Sequence, residues 1–245
     1  MSILKGKIAF ITGAGRGIGK AIAEAFAAEG AKIAAAARTE SEINALCEKI
    51  SAQGGKALPV IMDLKSEESI KNAINKAQSE LGPIDVLVNN AGVMALGKIC
   101  ETSAQTWDDI MNTNVRGIFI TCREVIPQMM ERKAGRIINI GSMAGRRGYS
   151  EQGVYCTSKH ALVGLSKVLA IETQKYGIRV HVISPGGVLT GLSTNLRADR
   201  GEPEDSPNWM TAEEVAEAAV YLCTQDGAAF TDELVLRRFA SEPWR

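Results

Sequence analysis

Short apolar runs alternate with longer amphipathic segments from one end of this 245-residue chain to the other, and few architectures accept that pattern. Strand-like runs occupy Ile8–Thr12, Lys32–Ala37, Ala57–Met62, Val86–Asn89, Arg136–Ile140, Arg179–Ser184 and, more weakly, Leu234–Leu236. Helix-like segments fill the gaps at Ile18–Glu29, Glu40–Ala52, Glu67–Leu81, Trp107–Arg132, Tyr155–Tyr176 and Ala212–Thr224. Strand, helix and strand repeated this often predict a parallel sheet with helices on both faces. Right-handed crossovers make it a doubly wound α/β sheet. Residues are 45% hydrophobic and 23% charged, enough for one large core. No linker rich in Pro, Ser or Gly divides the chain, so 1–245 reads as a single domain.

Charge and cysteine usage exclude several classes. Lys+Arg and Asp+Glu both number 28, which gives no electrostatic grip on nucleic acid or on a membrane surface. The five cysteines are scattered, without metal-ligand spacing, and read as reduced thiols of a cytoplasmic protein. His160 and His181 have no metal-like partners, so no metal site is expected. Met1 to Ile8 is too short and too charged for a signal peptide, and no apolar stretch reaches membrane-spanning length.

The first strand runs into a glycine-rich turn and then an Ala-rich helix: Ile8 to Gly19 reads IAFITGAGRGIG. Gly13, Gly17 and Gly19 let the turn close and let backbone approach a pyrophosphate, while the helix amino terminus offers unpaired N–H groups. The spacing is G-x-x-x-G-x-G rather than G-x-G-x-x-G, so position at the start of a doubly wound chain carries the inference. The second strand ends Ala36-Ala37-Arg38-Thr39, without the acid that an NAD site places against the ribose 2′-hydroxyl. Arg38 can pair with a 2′-phosphate, and Arg16 can reach the same group, so NADPH is expected over NADH. Asp63-Leu64 ends the third strand, where the acid could accept from an adenine amino group. Asn89-Asn90-Ala91-Gly92 ends the fourth, with small residues that permit close approach of a cofactor.

Tyr155 and Lys159 lie about one helical turn apart and share a helix face. An ammonium beside a phenol favours the phenolate and is expected to lower its pKa from about 10, which suits a general acid or base. Ser142 follows the fifth strand-like run, at the carboxyl edge where open α/β sheets place their ligands.

In order along the chain, Thr12-Gly13-x-x-x-Gly17-Ile18-Gly19, Asp63, Asn89-Asn90-Ala91-Gly92, Asn114, Ser142, Tyr155-x-x-x-Lys159 and Pro185-Gly186-x-x-x-Thr190 resemble the short-chain dehydrogenase/reductase family. The resemblance implies a Rossmann domain with a seven-stranded parallel sheet, and hydride exchange with a nicotinamide. Residues 1–130 would mainly bind the cofactor, and 131–245 would carry catalysis and substrate binding. It implies Asn114, Ser142, Tyr155 and Lys159 as the catalytic set. The cofactor would meet Thr12, Gly13, Gly15, Arg16, Gly17, Ile18, Gly19, Arg38, Thr39, Asp63, Leu64, Asn90, Ala91, Gly92, Tyr155, Lys159, Pro185, Gly186, Val188 and Thr190. The substrate would meet Ser142, Met143, Arg147, Gln152, Tyr155 and Gly187, with Met94, Leu96 and Leu192 nearby. Family members are usually homo-oligomers, dimers or tetramers, which here would pair through helices 107–132 and 155–176.

The carboxyl end departs from the fatty-acyl reductase branch, which commonly closes its last strand with Asp-Gly-Gly. Here it reads Asp232-Glu233-Leu234-Val235-Leu236-Arg237-Arg238-Phe239, closer to members acting on small hydroxy acids or other polar carbonyls. The leading expectation is therefore an NADPH-dependent enzyme interconverting a carbonyl and a secondary alcohol on a small polar substrate. A 3-oxoacyl-(acyl carrier protein) reductase is the alternative, and a non-catalytic NADP-binding regulator stands further back. Arg146 and Arg147, between Ser142 and Tyr155, are either a clamp for an anionic substrate group or exposed loop residues. The polar stretch 193–208 is either a short lid over the substrate or a solvated excursion.

Overall fold

The structure is a computed structural model that describes residues 2–194, 198 and 208–242. Seven strands form one parallel sheet: β1 Ile8–Thr12, β2 Lys32–Ala37, β3 Lys56–Ile61, β4 Val86–Asn89, β5 Gly135–Ile140, β6 Ile178–Pro185 and β7 Glu233–Leu236. Their order is β3-β2-β1-β4-β5-β6-β7. The order reverses between β1 and β4, and a crevice opens outside the carboxyl ends of strands at such a switch point. Each strand-like run of the sequence is a strand, with ends moved by at most one residue.

The helices are α1 Gly17–Ala28, α2 Glu40–Ala52, α3 Glu67–Leu81, α4 Ala104–Met111, α5 Gly117–Arg132, α6 Gly153–Thr173 and α7 Ala212–Cys223. Local chemistry fixes several starts. Ser66, Ser103 and Thr211 accept from backbone N–H groups three residues on, which satisfies donors that a helix start leaves unpaired. One helix expected over Trp107–Arg132 is interrupted. A single π-helical turn, Asn112–Arg116, separates α4 from α5.

The core lies in two layers, one on each face of the sheet. One layer packs α1, α2 and α7 through residues such as Ile22, Phe26, Ile43 and Leu222. The other packs α3, α5 and α6 through Ile70, Ile74, Val125 and Leu162. Burying each such apolar side chain contributes about 1.5–3 kcal/mol. Ala34, Ala35 and Ala36 make the middle of β2 narrow, so helices on both faces approach it closely. Pro59 sits in β3, an edge strand, where a missing N–H leaves no ladder bond unmade. No helix of the described residues is long and apolar enough to cross a membrane. Residues 195–197 and 199–207, which hold most of the expected lid, lie outside the described residues.

Candidate active site

A cavity of about 670 Å³ runs along the carboxyl edge of the sheet, across the switch point. At one end it is built on the turn after β1. Gly13 and Gly17 have φ of +66° and +54°, backbone that a side chain would strain. A Cβ on Gly19 would stand 2.3 Å from the Gly13 carbonyl oxygen and 2.4 Å from Asn90 Nδ2, so only glycine lets α1 seat against the turn. The turn is braced from β4. The N–H groups of Asn90 and Ala91 each donate to Thr12 Oγ1 at 3.0 Å. Asn90 Nδ2 donates to the carbonyls of Thr12 at 2.9 Å and Gly13 at 3.2 Å.

Most residues expected at a cofactor do line this cavity: Gly13, Gly15, Arg16, Gly17, Ile18, Arg38, Thr39, Asp63, Leu64, Asn90, Ala91, Gly92, Tyr155, Lys159, Pro185, Gly186, Val188 and Thr190. Thr12 and Gly19 are exceptions. Both are buried behind the wall, Thr12 as a brace and Gly19 as a close-approach point. The exposed Arg16 and Arg38 side chains make no hydrogen bond or ion pair among the described residues, so both can meet an anion. Glu42 of α2 escaped the sequence reading. Its carboxylate lies against Gly15, where a Cβ would meet Oε2 at 2.5 Å, and it lines the same cavity as the two arginines.

At the other end stand Ser142, Met143, Arg147, Gln152, Tyr155, Lys159 and Gly187, all lining the same cavity. Ser142 begins the 3₁₀ turn Met143–Gly145, its Oγ accepting from the Ala144 N–H at 3.1 Å. Burial pushes the Tyr155 hydroxyl up to about 12, against a hydrogen bond with Ser142 that pulls it down. Burial likewise takes Lys159 down to about 8. The expectation that Lys159 lowers the tyrosine pKa is therefore not met by the protein's own field. Lys159 Nζ donates to the Ile140 carbonyl at 2.8 Å and stands 5.8 Å from the centre of the Tyr155 ring, so loss of hydration dominates both groups.

Asn114 does not line the cavity. It is fully buried in the π turn and holds the site from behind. Its Oδ1 accepts from the Val93 N–H and its Nδ2 donates to the Val93 carbonyl, both at 2.8 Å. Nδ2 also donates to Ser158 Oγ at 3.1 Å, and that hydroxyl donates to the Tyr155 carbonyl at 2.8 Å. One amide thus ties the loop after β4 to the helical turn that carries Tyr155 and Lys159. π-Helical turns are frequent at functional sites, and Thr113 from this one reaches the cavity wall.

The neighbouring arginines part company. Arg146 pairs with Glu233 of β7, whose other oxygen accepts from Ser184 Oγ at 2.7 Å, and it is outside the cavity. Arg147 lines the cavity with Tyr149. Met94 and Leu192 also line it, whereas Leu96 does not. The sequence reading missed Trp209, which precedes α7, and Arg237, Arg238, Ser241 and Glu242, which follow β7; all line the cavity. Gly187 has no room for a Cβ, which would stand 2.7 Å from the Trp209 ring. His160 and His181 bond backbone carbonyls, and no group of metal-ligating side chains occurs among the described residues.

The family described as short chain dehydrogenase matches residues 7–201. The 3-oxoacyl-[acyl-carrier-protein] reductase FabG of Escherichia coli (strain K12) is 37% identical over 233 residues, covering 94% of each chain. A short-chain type dehydrogenase/reductase from Mycobacterium marinum superposes with a TM-score of 0.88 at 32% identity, over 96% of this chain and 95% of that one. A candidate NAD(P)-dependent gluconate 5-dehydrogenase from Beutenbergia cavernae, solved with NADP bound at low occupancy, gives 0.87 at 33% identity over the same shares. A match along most of the sequence, a common seven-stranded sheet and an intact Ser, Tyr and Lys constellation agree, and the chain belongs to the short-chain dehydrogenase family of oxidoreductases.

Proposed function

We propose that this protein interconverts a carbonyl and a secondary alcohol on a small polar substrate, with NADP as cofactor and NADPH preferred over NADH. The observation that carries this is Ser142, Tyr155 and Lys159 facing one cavity whose far end is a glycine turn flanked by Arg16 and Arg38. The glycine cradle, the helix amino terminus and two guanidiniums without partners among the described residues fit a phosphorylated dinucleotide. A bound NADPH supplies the hydride.

The chain's own residues manage the oxygen. Tyr155, with its pKa at about 12, holds its proton through the physiological range and gives it from Oη to the carbonyl oxygen. Ser142 Oγ donates a second hydrogen bond to the charge that develops there, and a preplaced donor of this kind is worth about 10²–10³ in rate. Lys159 holds positive charge in a site shielded from water. Asn114 and Ser158 keep Tyr155 in register with the loop after β4.

A second reading, 3-oxoacyl-(acyl carrier protein) reductase, is favoured by the Escherichia coli relative. The carboxyl end favours the first. Glu233, at the start of β7, pairs with Arg146 and with Ser184 of β6, the strand does not close with the Asp-Gly-Gly common in the acyl reductase branch, and Trp209 and Arg238 line the cavity. Homo-oligomerisation through α5 and α6 fits their outer faces, where Phe119, Val168 and Ile171 are 47%, 50% and 77% exposed. Light scattering on the purified protein tests that assembly.

NADPH oxidation followed with a panel of oxo acids, sugar-like ketones and 3-oxoacyl thioesters tests the function. Turnover of small polar carbonyls, faster with NADPH than NADH, is expected. Turnover of thioesters alone would establish the second reading, and turnover of nothing would overturn both.

A further inference from the structure

Resting on the carbonyl–alcohol reading, we propose that Arg147 is an anion clamp, and that the substrate carries a carboxylate or other oxyanion beyond its reacting carbonyl. The side chain is already set for that task. Its guanidinium carbon lies 4.8 Å from the centre of the Tyr149 ring, and Nε donates to Tyr149 Oη at 2.8 Å. Stacking plus one hydrogen bond fixes the plane of the guanidinium before any ligand arrives. Nη1 and Nη2 make no hydrogen bond or ion pair among the described residues, and the side chain lines the cavity that holds Ser142 and Tyr155. Two parallel N–H donors on one rigid fork match an oxyanion bidentately.

The neighbourhood reinforces the sign. Arg146 is consumed by Glu233, so it offers no competing clamp. From the tail after β7, Arg238 stacks 4.9 Å from the Trp209 ring centre, with Nε donating to Ser241 Oγ at 3.2 Å. Arg147, Arg237 and Arg238 all line the cavity at this end, and positive charge along a cleft draws anions in. A neutral substrate would draw nothing from this arrangement.

The test pairs each oxo acid with its methyl ester at three chain lengths: acetoacetate, levulinate and 5-oxohexanoate. A phosphate arm compares dihydroxyacetone phosphate with dihydroxyacetone. The parent is expected to favour the anion at least tenfold in kcat/KM for one chain length or for the phosphate. Arg147→Gln is expected to lower that ratio at least tenfold, whereas Arg146→Ala leaves it unchanged. Equal use of acid and ester throughout, or an unchanged ratio in Arg147→Gln, overturns the clamp while leaving the carbonyl activity standing. Where no carbonyl is reduced, the activity reading fails separately, and calorimetric titration of the NADP-loaded protein with 3-hydroxybutyrate and its methyl ester decides. Binding of the acid that Arg147→Gln weakens at least tenfold supports the clamp, and acid binding no tighter than ester overturns it.

Discussion

Substituting Gly19 by alanine sets two effects of opposite sign against each other. In an open helix the change would stabilise by about 1 kcal/mol, because alanine is the better helix former. Here the new Cβ would stand 2.3 Å from the Gly13 carbonyl oxygen and 2.4 Å from Asn90 Nδ2. The carbonyl is backbone and cannot swing aside, so α1 must move off the turn, an overpacking cost of about 1–3 kcal/mol. Asn90 must also give up its bonds to the Thr12 and Gly13 carbonyls, each worth about 1 kcal/mol. The collision wins, and Gly19→Ala is expected to lose about 2–4 kcal/mol in urea unfolding at fixed protein concentration. Its NADPH affinity, read by nucleotide fluorescence, should fall with the displaced turn. In an Asn90→Ala background both Asn90 bonds and part of the clash are already gone, so the same substitution should cost about 2 kcal/mol less. A Gly19→Ala protein as stable as the parent, with unchanged NADPH affinity, would refute the close-approach account.

The pH profile and the adenosine end offer two more checks. Lys159 is charged below about 8 and neutral above it, whereas Tyr155 keeps its proton to about 12, so kcat/KM for reduction should fall as pH rises through about 8; a profile flat to pH 10 contradicts this. Glu42 lines the cavity that Arg16 and Arg38 line, and its negative charge would oppose a 2′-phosphate there, so Glu42→Gln should raise the NADPH-to-NADH ratio of kcat/KM several-fold; an unchanged ratio would place that carboxylate outside the recognition site.

The sheet was legible in the sequence because buried parallel strands read as continuous apolar runs, and the seven runs from Ile8 to Leu236 are the seven strands. The break between α4 and α5 was not. Residues 112–116 carry neither proline nor glycine. The π turn coincides instead with the grip of Asn114 on the Val93 backbone, a contact between residues 21 apart. Pro127, which a local reading would take as a break, lies inside α5 without ending it. Most residues tied to motifs line the cavity. Thr12, Gly19 and Asn114 do not, because a motif marks which residues matter without separating those that touch a ligand from those that shape the wall. Glu42, Trp209 and Arg238 belong to no motif, and only the folded chain brings them to the cavity.

The central claim is that one phenolic hydroxyl delivers a proton as hydride arrives. Single-turnover NADPH oxidation by Tyr155→Phe, with cofactor affinity measured alongside, addresses it most directly. Loss of about 10²–10⁴ in the chemical step with cofactor still bound is the predicted result. Oxidation at the parent's rate by the phenylalanine variant would contradict it.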